Sequence, residues 1–253
     1  MQLQLSTWPE VERYLQRATD IIIPVGSTEQ HGPNGLIGTD AICPQAIATA
    51  LSERHGILVG PTLNLGMAQH HLGFPGTISL RPATLAAIMR DTVESLARHG
   101  FTHILFLNGH GGNIATIHST FADINADRSF HGAATEPGPE LALHNWFLGK
   151  RVRQLAEKLY GPAEGGHATP SEVSLSWHAH PEAARQDVSM QPRIAPSGHA
   201  NRDADDFRRH FPDGRMGSDP SLASIEAGRE FLEAGVADAL DVWQAFTNRP
   251  ARA

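Results

Sequence analysis

The tightest constraint on this chain is a pattern that occurs twice. A short run of buried-strand residues breaks into a glycine-bearing turn, and a helix follows. The first copy is Ile21, Ile22, Ile23 and Val25, then Gly26-Ser27-Thr28, then a helix opening at Asp40. The second is residues 103–107, then Asn108-Gly109-His110-Gly111-Gly112-Asn113, then IATIHSTFADINAD. Strands joined through helices make right-handed crossovers, so the pattern predicts a mainly parallel α/β sheet with both turns at one edge. Loops at the carboxyl ends of such strands are where these folds hold reactive side chains. The first turn carries Glu29, His31 and Asp40 and the second carries His110. Glu29 and His31 are two apart, which puts them on one side of an extended segment. The plain alternative is a surface Glu and a half-exposed His in an ordinary loop.

At 253 residues the chain can bury a full core, and one α/β domain over 1–249 is expected, with 250–253 as a frayed tail. A formal charge of −7 with 20 Lys and Arg argues against nucleic acid or an anionic membrane as partner. No apolar run approaches the roughly 18 residues of a membrane span, and MQLQLSTWPE lacks a signal-peptide pattern. The single cysteine, Cys43, excludes an intramolecular disulfide and fits a cytoplasmic location; beside Pro44 on a helix it reads as a buried small residue. Against this ordinary background stand 15 histidines, the residue type most used for metal ligation and for proton transfer near neutrality.

Helices are expected after Thr7, from Asp40 to a stop at Gly56, and from Pro82 to Gly100. Asp40 has a rival role as an N-cap. A short strand is expected at 57–60, followed by a Gly- and Pro-rich loop, PTLNLGMAQHHLGFPGTISL, as a pocket wall. His70 and His71 lie in that loop, one of them a candidate pocket residue. Residues 132–139 read as loop, LALHNWF as a strand, and KRVRQLAEKLYG as a helix. Gly165-Gly166-His167-Ala168 reads as a turn, with Pro170 and Glu172 opening the next helix. An acid there also suits the helix dipole, its structural reading. The stretch 183–219 reads as an irregular, partner-facing surface arm, and the block from Asp219 as a long amphipathic helix. Trp146 and Trp177 could stack on a flat substrate or pack in a core or interface. His178 and His180 are expected to face solvent or a neighbouring subunit.

Glu29, His31, Asp40, His110, His167 and Glu172 thus fall on separate turns and helix starts. Mixed imidazole and carboxylate ligands without thiolates suit Zn, Mn, Fe or Co. Two ions about 3.5–4 Å apart need roughly five or six such ligands, with one carboxylate able to bridge. Such a centre acidifies water, polarises a carbonyl, and leaves a spare His to protonate a departing nitrogen.

Glu29-Gln30-His31-Gly32-Pro33 with Gly38-Thr39-Asp40, then HHLGFPGTISL, NGHGGN, the GHA turn with Glu172, and GSDPSLAS resemble the creatininase (creatinine amidohydrolase) family. The motifs stand in family order over about residues 20–230. The resemblance implies a three-layer αβα sandwich, two divalent ions per chain, hydrolysis of a carbon–nitrogen bond in a small cyclic or linear amide, and a homohexamer. It implies Glu29, Asp40 and His110 as ligands of one ion. His31 and Asp40 would be ligands of the second, with Asp40 bridging and His167 handling the proton at the scissile nitrogen. One departure stands out. Members acting on creatinine carry Glu two residues after the His of the NGH motif, where this chain has Gly112. Glu172 is the expected replacement ligand and, with His167, the expected catalytic pair. The Gly-Gly form resembles the broader family, which includes a formylaminopyrimidine deformylase and a peptidase trimming a redox-cofactor precursor.

Two competing readings remain at this level. A catalytically silent metal- or metabolite-binding homologue serving as an oligomeric scaffold would show missing ligands, and Gly112 is the only gap. A nucleotide-binding protein would need a phosphate loop, and NGHGGN lacks both the Lys-Ser/Thr and the GxGxxG spacing.

Overall fold

Ile21, Ile22 and Ile23 cannot all face one way in an extended chain, and their alternation builds the two sides of the molecule. In the computed structural model, which describes residues 1–130, 138–199 and 203–248, strand β1 (Asp20–Val25) is buried throughout. It pairs in parallel with β2 (His103–Asn108), and β2 pairs in parallel with β3 (Glu140–Asn145). Ile22, Leu105 and Leu107 turn to one face; Ile21, Ile23, Val25, Ile104 and Phe106 turn to the other. Helices cover both faces. The first is packed by α2 (Thr39–His55), α5 (Lys150–Tyr160), α6 (Pro170–Ala179) and α8 (Ile225–Thr247). The second is packed by α1 (Trp8–Leu15), α3 (Pro82–Arg98) and α4 (Ile114–Phe130). The parallel sheet is the one that the strand–turn–helix repeats predict, and its two helical layers make the αβα sandwich that the creatininase resemblance implies. No described helix is long and apolar enough to cross a membrane.

The helix limits follow local chemistry. Thr7 and Glu10 form a capping box on α1, and Gly56 closes α2 in the left-handed conformation, φ +66°. Residues 57–60 form no strand. They make single parallel bridges, Val59 to Ile22 and to Gln2, because Pro24 of β1 has no N–H to continue the ladder and pairing resumes only at Leu63. Helix α8 starts at Ile225, capped by the Ser224 side chain, and residues 220–222 before it form a 3-10 turn. The expected loop at 132–139 falls mostly outside the described residues, as does the expected tail at 250–253.

The largest correction concerns residues 183–219. Over 183–199 the chain is irregular and mostly exposed, as expected, but 203–219 is packed into the molecule as a strap rather than a surface arm. It contains α7 (Ala204–His210), and Phe207, Phe211, Arg215, Ser218 and Asp219 are each at most 1% exposed. Arg215 is its anchor. The guanidinium donates to Asp213 Oδ2 and to the carbonyls of Pro192, Arg193 and Ser218. A run of Pro, Gly and charge reads as solvated from sequence because, beyond Asp213, the acceptors that hold Arg215 are main-chain oxygens, which no side-chain pattern reveals. Arg215→Ala is expected to cost about 3 kcal/mol, through carbonyls left without donors and an ion pair broken at a buried site. A urea midpoint unchanged from wild type would show the strap to be held otherwise.

Candidate metal centre

Each predicted residue reaches one point at the carboxyl edge of the sheet. β1 ends at Val25 and the turn carries Glu29 and His31 inward, 0% and 1% exposed. Asp40 lies in the first turn of α2, 3% exposed. The N-cap there is Gly38, with no side-chain cap bond, so the rival capping role of Asp40 is not realised. His110 follows β2 at 6% exposure. Glu172 is the third residue of α6, and His167 precedes that helix in a turn where Ala168 holds φ +53°. That left-handed alanine costs about 1 kcal/mol or more, strain of a kind that clusters at functional sites. The capping role of Glu172 is real, since one oxygen (Oε1) accepts from the Thr169 N–H at 2.6 Å. Its other oxygen, Oε2, lies 3.9 Å from His31 Nε2.

Three triads of donor atoms meet at this point: Glu29, Asp40 and His110, and His31, Asp40 and Glu172, which share Asp40, together with Glu29, His31 and His167. Asp40 Oδ1 is 3.2 Å from His31 Nε2, and Oδ2 is 3.0 Å from His110 Nδ1. Glu29 Oε2 is 3.3 Å from His110 Nε2. Both imidazoles are oriented by main-chain carbonyls: His31 Nδ1 meets Glu29 O at 3.1 Å, and His110 Nε2 meets Met67 O at 2.9 Å. A nitrogen that donates to a carbonyl carries the proton, so the opposite nitrogen turns a lone pair towards Asp40. Lone pairs then face carboxylate oxygens at about hydrogen-bond distance, and Asp40 Oδ2 and Glu29 Oε1 are buried without accepting a hydrogen bond. Such gaps require positive charge, either a proton or a metal ion.

The electrostatics say the same. Burial opposes charge on His31, yet Asp40, Glu172 and Glu29 outweigh it and push its pKa up to about 10. Burial opposes charge on His110 also, but Glu29, Asp40 and the Met67 carbonyl lift it to about 9. Burial works against ionisation of Asp40, and the two imidazoles nonetheless hold it well below the usual carboxylate range. Burial raises Glu172 to about 7. The cluster is a buried anionic cradle that, without metal, takes up protons. The residues present therefore fit divalent cations.

The site opens into a cavity of about 560 Å³ walled by Phe147, Leu148, Val152, Arg153 and Glu164 as well as the cluster itself. His70 and His71 both line it. Burial, reinforced by the neighbouring histidines, drives His71 down to about 2, so its ring is neutral. Trp146 and Trp177 do not reach the cavity; each is 1% exposed within the hydrophobic packing. Cys43 is buried, as expected, and His180 faces solvent.

Some residues that shape the site escaped the sequence reading. Asn113, 0% exposed, donates to Gly26 O and Asn108 Oδ1 and accepts from Met67 N, so it joins three loops. Asn108 accepts from His110 N and donates to His110 O. The paired asparagines of NGHGGN were the available signal. Gly112 also has a reason to be glycine: a Cβ there would fall 2.4 Å from His110 Nε2 and 2.5 Å from Met67 O. A further group, His199, Asp206 and His210, offers three donor atoms at the surface. Its imidazoles stack at 3.4 Å with planes 14° apart, so their in-plane lone pairs run in parallel sheets and do not converge on a cation.

A parallel αβα sandwich whose strand ends gather two buried carboxylates, a half-buried third and several imidazoles carries a site of the cation-binding class. The chain belongs to the creatininase family, whose model, described as creatinine amidohydrolase, matches residues 4–242, and it is an amidohydrolase of that family. It is 27% identical over 253 residues to the 3-dehydro-scyllo-inosose hydrolase of Thermotoga maritima, covering 91% of this chain and 78% of that protein. It is 38% identical over 113 residues to the creatinine amidohydrolase of Pseudomonas putida, covering 42% of this chain and 44% of that protein. Among solved structures, a manganese creatininase superposes with TM-score 0.83 at 25% identity, over 98% of this chain and 99% of the other. A Zn-Zn type creatininase variant does so with TM-score 0.81 at 26% identity, over 98% of each chain.

Proposed function

We propose that this protein hydrolyses the carbon–nitrogen bond of a small cyclic or linear amide at a centre of two divalent ions, zinc, manganese or iron. The observation that carries this reading is the pair of triads sharing Asp40. Glu29, Asp40 and His110 would hold one ion and His31, Asp40 and Glu172 the other, with Asp40 bridging. When bound, the ions supply an acidified water as nucleophile and an electrophilic pull on the scissile carbonyl. The rest falls to the chain. His167 donates from Nε2 to the Gln30 carbonyl at 2.8 Å, which leaves Nδ1 directed at the cluster, 3.8 Å from Glu29 Oε1. It would collect the proton there and pass it to the departing nitrogen. The apolar wall of Phe147, Leu148 and Val152 would exclude bulk water and hold the body of the substrate.

Manganese and zinc in the related creatininase structures support the choice of metal, and the cavity dimensions support a small substrate. Creatinine itself is disfavoured by Gly112. The apolar side chains exposed on the N-terminal segment, Leu5 at 78% and Trp8 at 76%, supply surface for the homohexamer that the resemblance implies.

The test is elemental analysis of protein purified without chelator and again after reconstitution, followed by a screen of cyclic amides, formamides and short peptides. About two ions per chain are expected. Glu29→Gln is expected to remove an ion and turnover together while the fold persists. Full turnover in that variant, or no metal even after reconstitution, would sink the proposal.

A further inference from the structure

His71 and His167 lie outside the two triads that share Asp40, although His167 groups with Glu29 and His31, and both rings stand against Glu29. His71 Nε2 is 3.2 Å and His167 Nδ1 3.8 Å from Glu29 Oε1, and the two rings stack with centroids 4.2 Å apart. A neutral imidazole has one donor and one acceptor nitrogen. Which nitrogen carries the proton decides whether Glu29 meets an N–H or a lone pair.

Gln30, 6% exposed, touches both rings. Two groups that have no choice of role fix its amide: the Gly32 N–H donates to Oε1 at 2.8 Å, and the Gly214 carbonyl accepts from Nε2 at 3.0 Å. Turning the amide over would set oxygen against oxygen and N–H against N–H. The second hydrogen on Nε2 is then directed at His71 Nδ1, 2.9 Å away. That ring nitrogen must be bare, so the His71 proton sits on Nε2, the atom nearest Glu29. The main-chain carbonyl of Gln30 does the same for His167, meeting its Nε2 at 2.8 Å. Gln30 Nε2 also lies 2.9 Å from His167 Nε2, but both of its hydrogens already have acceptors and a carbonyl can only accept. One assignment satisfies every group, and it puts the His167 proton on Nε2. Space for the amide comes from Gly214, at φ +87°, where a Cβ would fall 1.9 Å from Gln30 Oε1.

We propose that Gln30 is a positioning residue that sets the tautomers of two site histidines, through its side chain for His71 and its main chain for His167. His71 carries its proton on Nε2, the nitrogen nearest Glu29, without a hydrogen bond to Oε1, and His167 presents a bare nitrogen to the reaction space. The link to catalysis rests on the proton-handling role proposed above for His167; the tautomers themselves do not.

The test is neutron diffraction from deuterium-exchanged crystals of the full chain, metal-free and zinc-loaded, for wild type and Gln30→Glu. In wild type, deuterium is expected on Nε2 of both His71 and His167, with neither Nδ1 occupied. Gln30→Glu keeps the shape and the acceptor for Gly32 but replaces the donor facing His71 with an acceptor. Deuterium is therefore expected to appear on His71 Nδ1, while His167, held by a main-chain oxygen, is unchanged. Deuterium on Nδ1 of either ring in wild type would overturn the proposal, as would a His71 Nδ1 that stays bare in the variant. If the variant fails to crystallise, the wild-type map still decides. Because no turnover is measured, absence of amidase activity would defeat the proposed function and leave this result standing.

Discussion

Asp40→Asn is expected to lower turnover by about a thousandfold or more and to cut bound metal from about two ions per chain to at most one. Asp40 is the only residue common to both triads, with Oδ1 towards His31 and Oδ2 towards His110. Asparagine matches the shape but offers one acceptor oxygen and no charge, so one triad loses its oxygen and both lose an anion. Several kcal/mol of transition-state stabilisation come from such a centre, and about 4 kcal/mol is roughly a thousandfold in rate. The substitution leaves the N-terminus of α2 intact, since Asp40 makes no cap. The checks are elemental analysis, a thermal melt and turnover on whichever amide the wild type hydrolyses. Two ions and activity within tenfold of wild type would show that Asp40 does not bridge.

Gly112→Glu is expected to damage the centre, although the resemblance to creatinine-hydrolysing members implies Glu at this position. The reason precedes any question of charge: the first added carbon would lie 2.4 Å from His110 Nε2 and 2.5 Å from Met67 O. The His110–Met67 hydrogen bond, 2.9 Å, would have to open, and His110 would swing from Asp40. A displacement near 1 Å at a catalytic group costs about a hundredfold, so a loss of at least that size is expected, with Gly112→Ala showing most of it. Metal content and a crystal structure of each variant provide the measurement. A Gly112→Glu protein that keeps two ions and full turnover would mean that the loop yields and that Glu172 is dispensable as a ligand.

These two predictions mark how far the sequence could be read. The residues of the cluster were legible because their chemistry is local. A strand that ends in glycine must turn, and a Glu-x-His in that turn must point one way. The same locality made α1 to α6 legible from caps, Pro and Gly. It failed at 57–60, where a β-like run lacks a continuous partner, and at 203–219. In the latter, polar composition concealed a strap held by Arg215 and by Phe207 packed on His71.

The sequence by itself determined the alternation that makes a two-faced parallel sheet, the end of the sheet at which the site forms, and the residue types available there. Only the tertiary structure decided which carboxylate oxygen faces which imidazole nitrogen, and that Glu172 comes within reach of His31 across 140 intervening residues. It also decided which nitrogen of each ring faces the centre. The physical reason is the range of the forces. Periodicity, capping and turn preference act over a few residues and leave a trace in the local sequence. Ligand geometry, burial and proton placement depend on oxygens and nitrogens brought together from distant segments, many of them main-chain atoms that every residue carries alike.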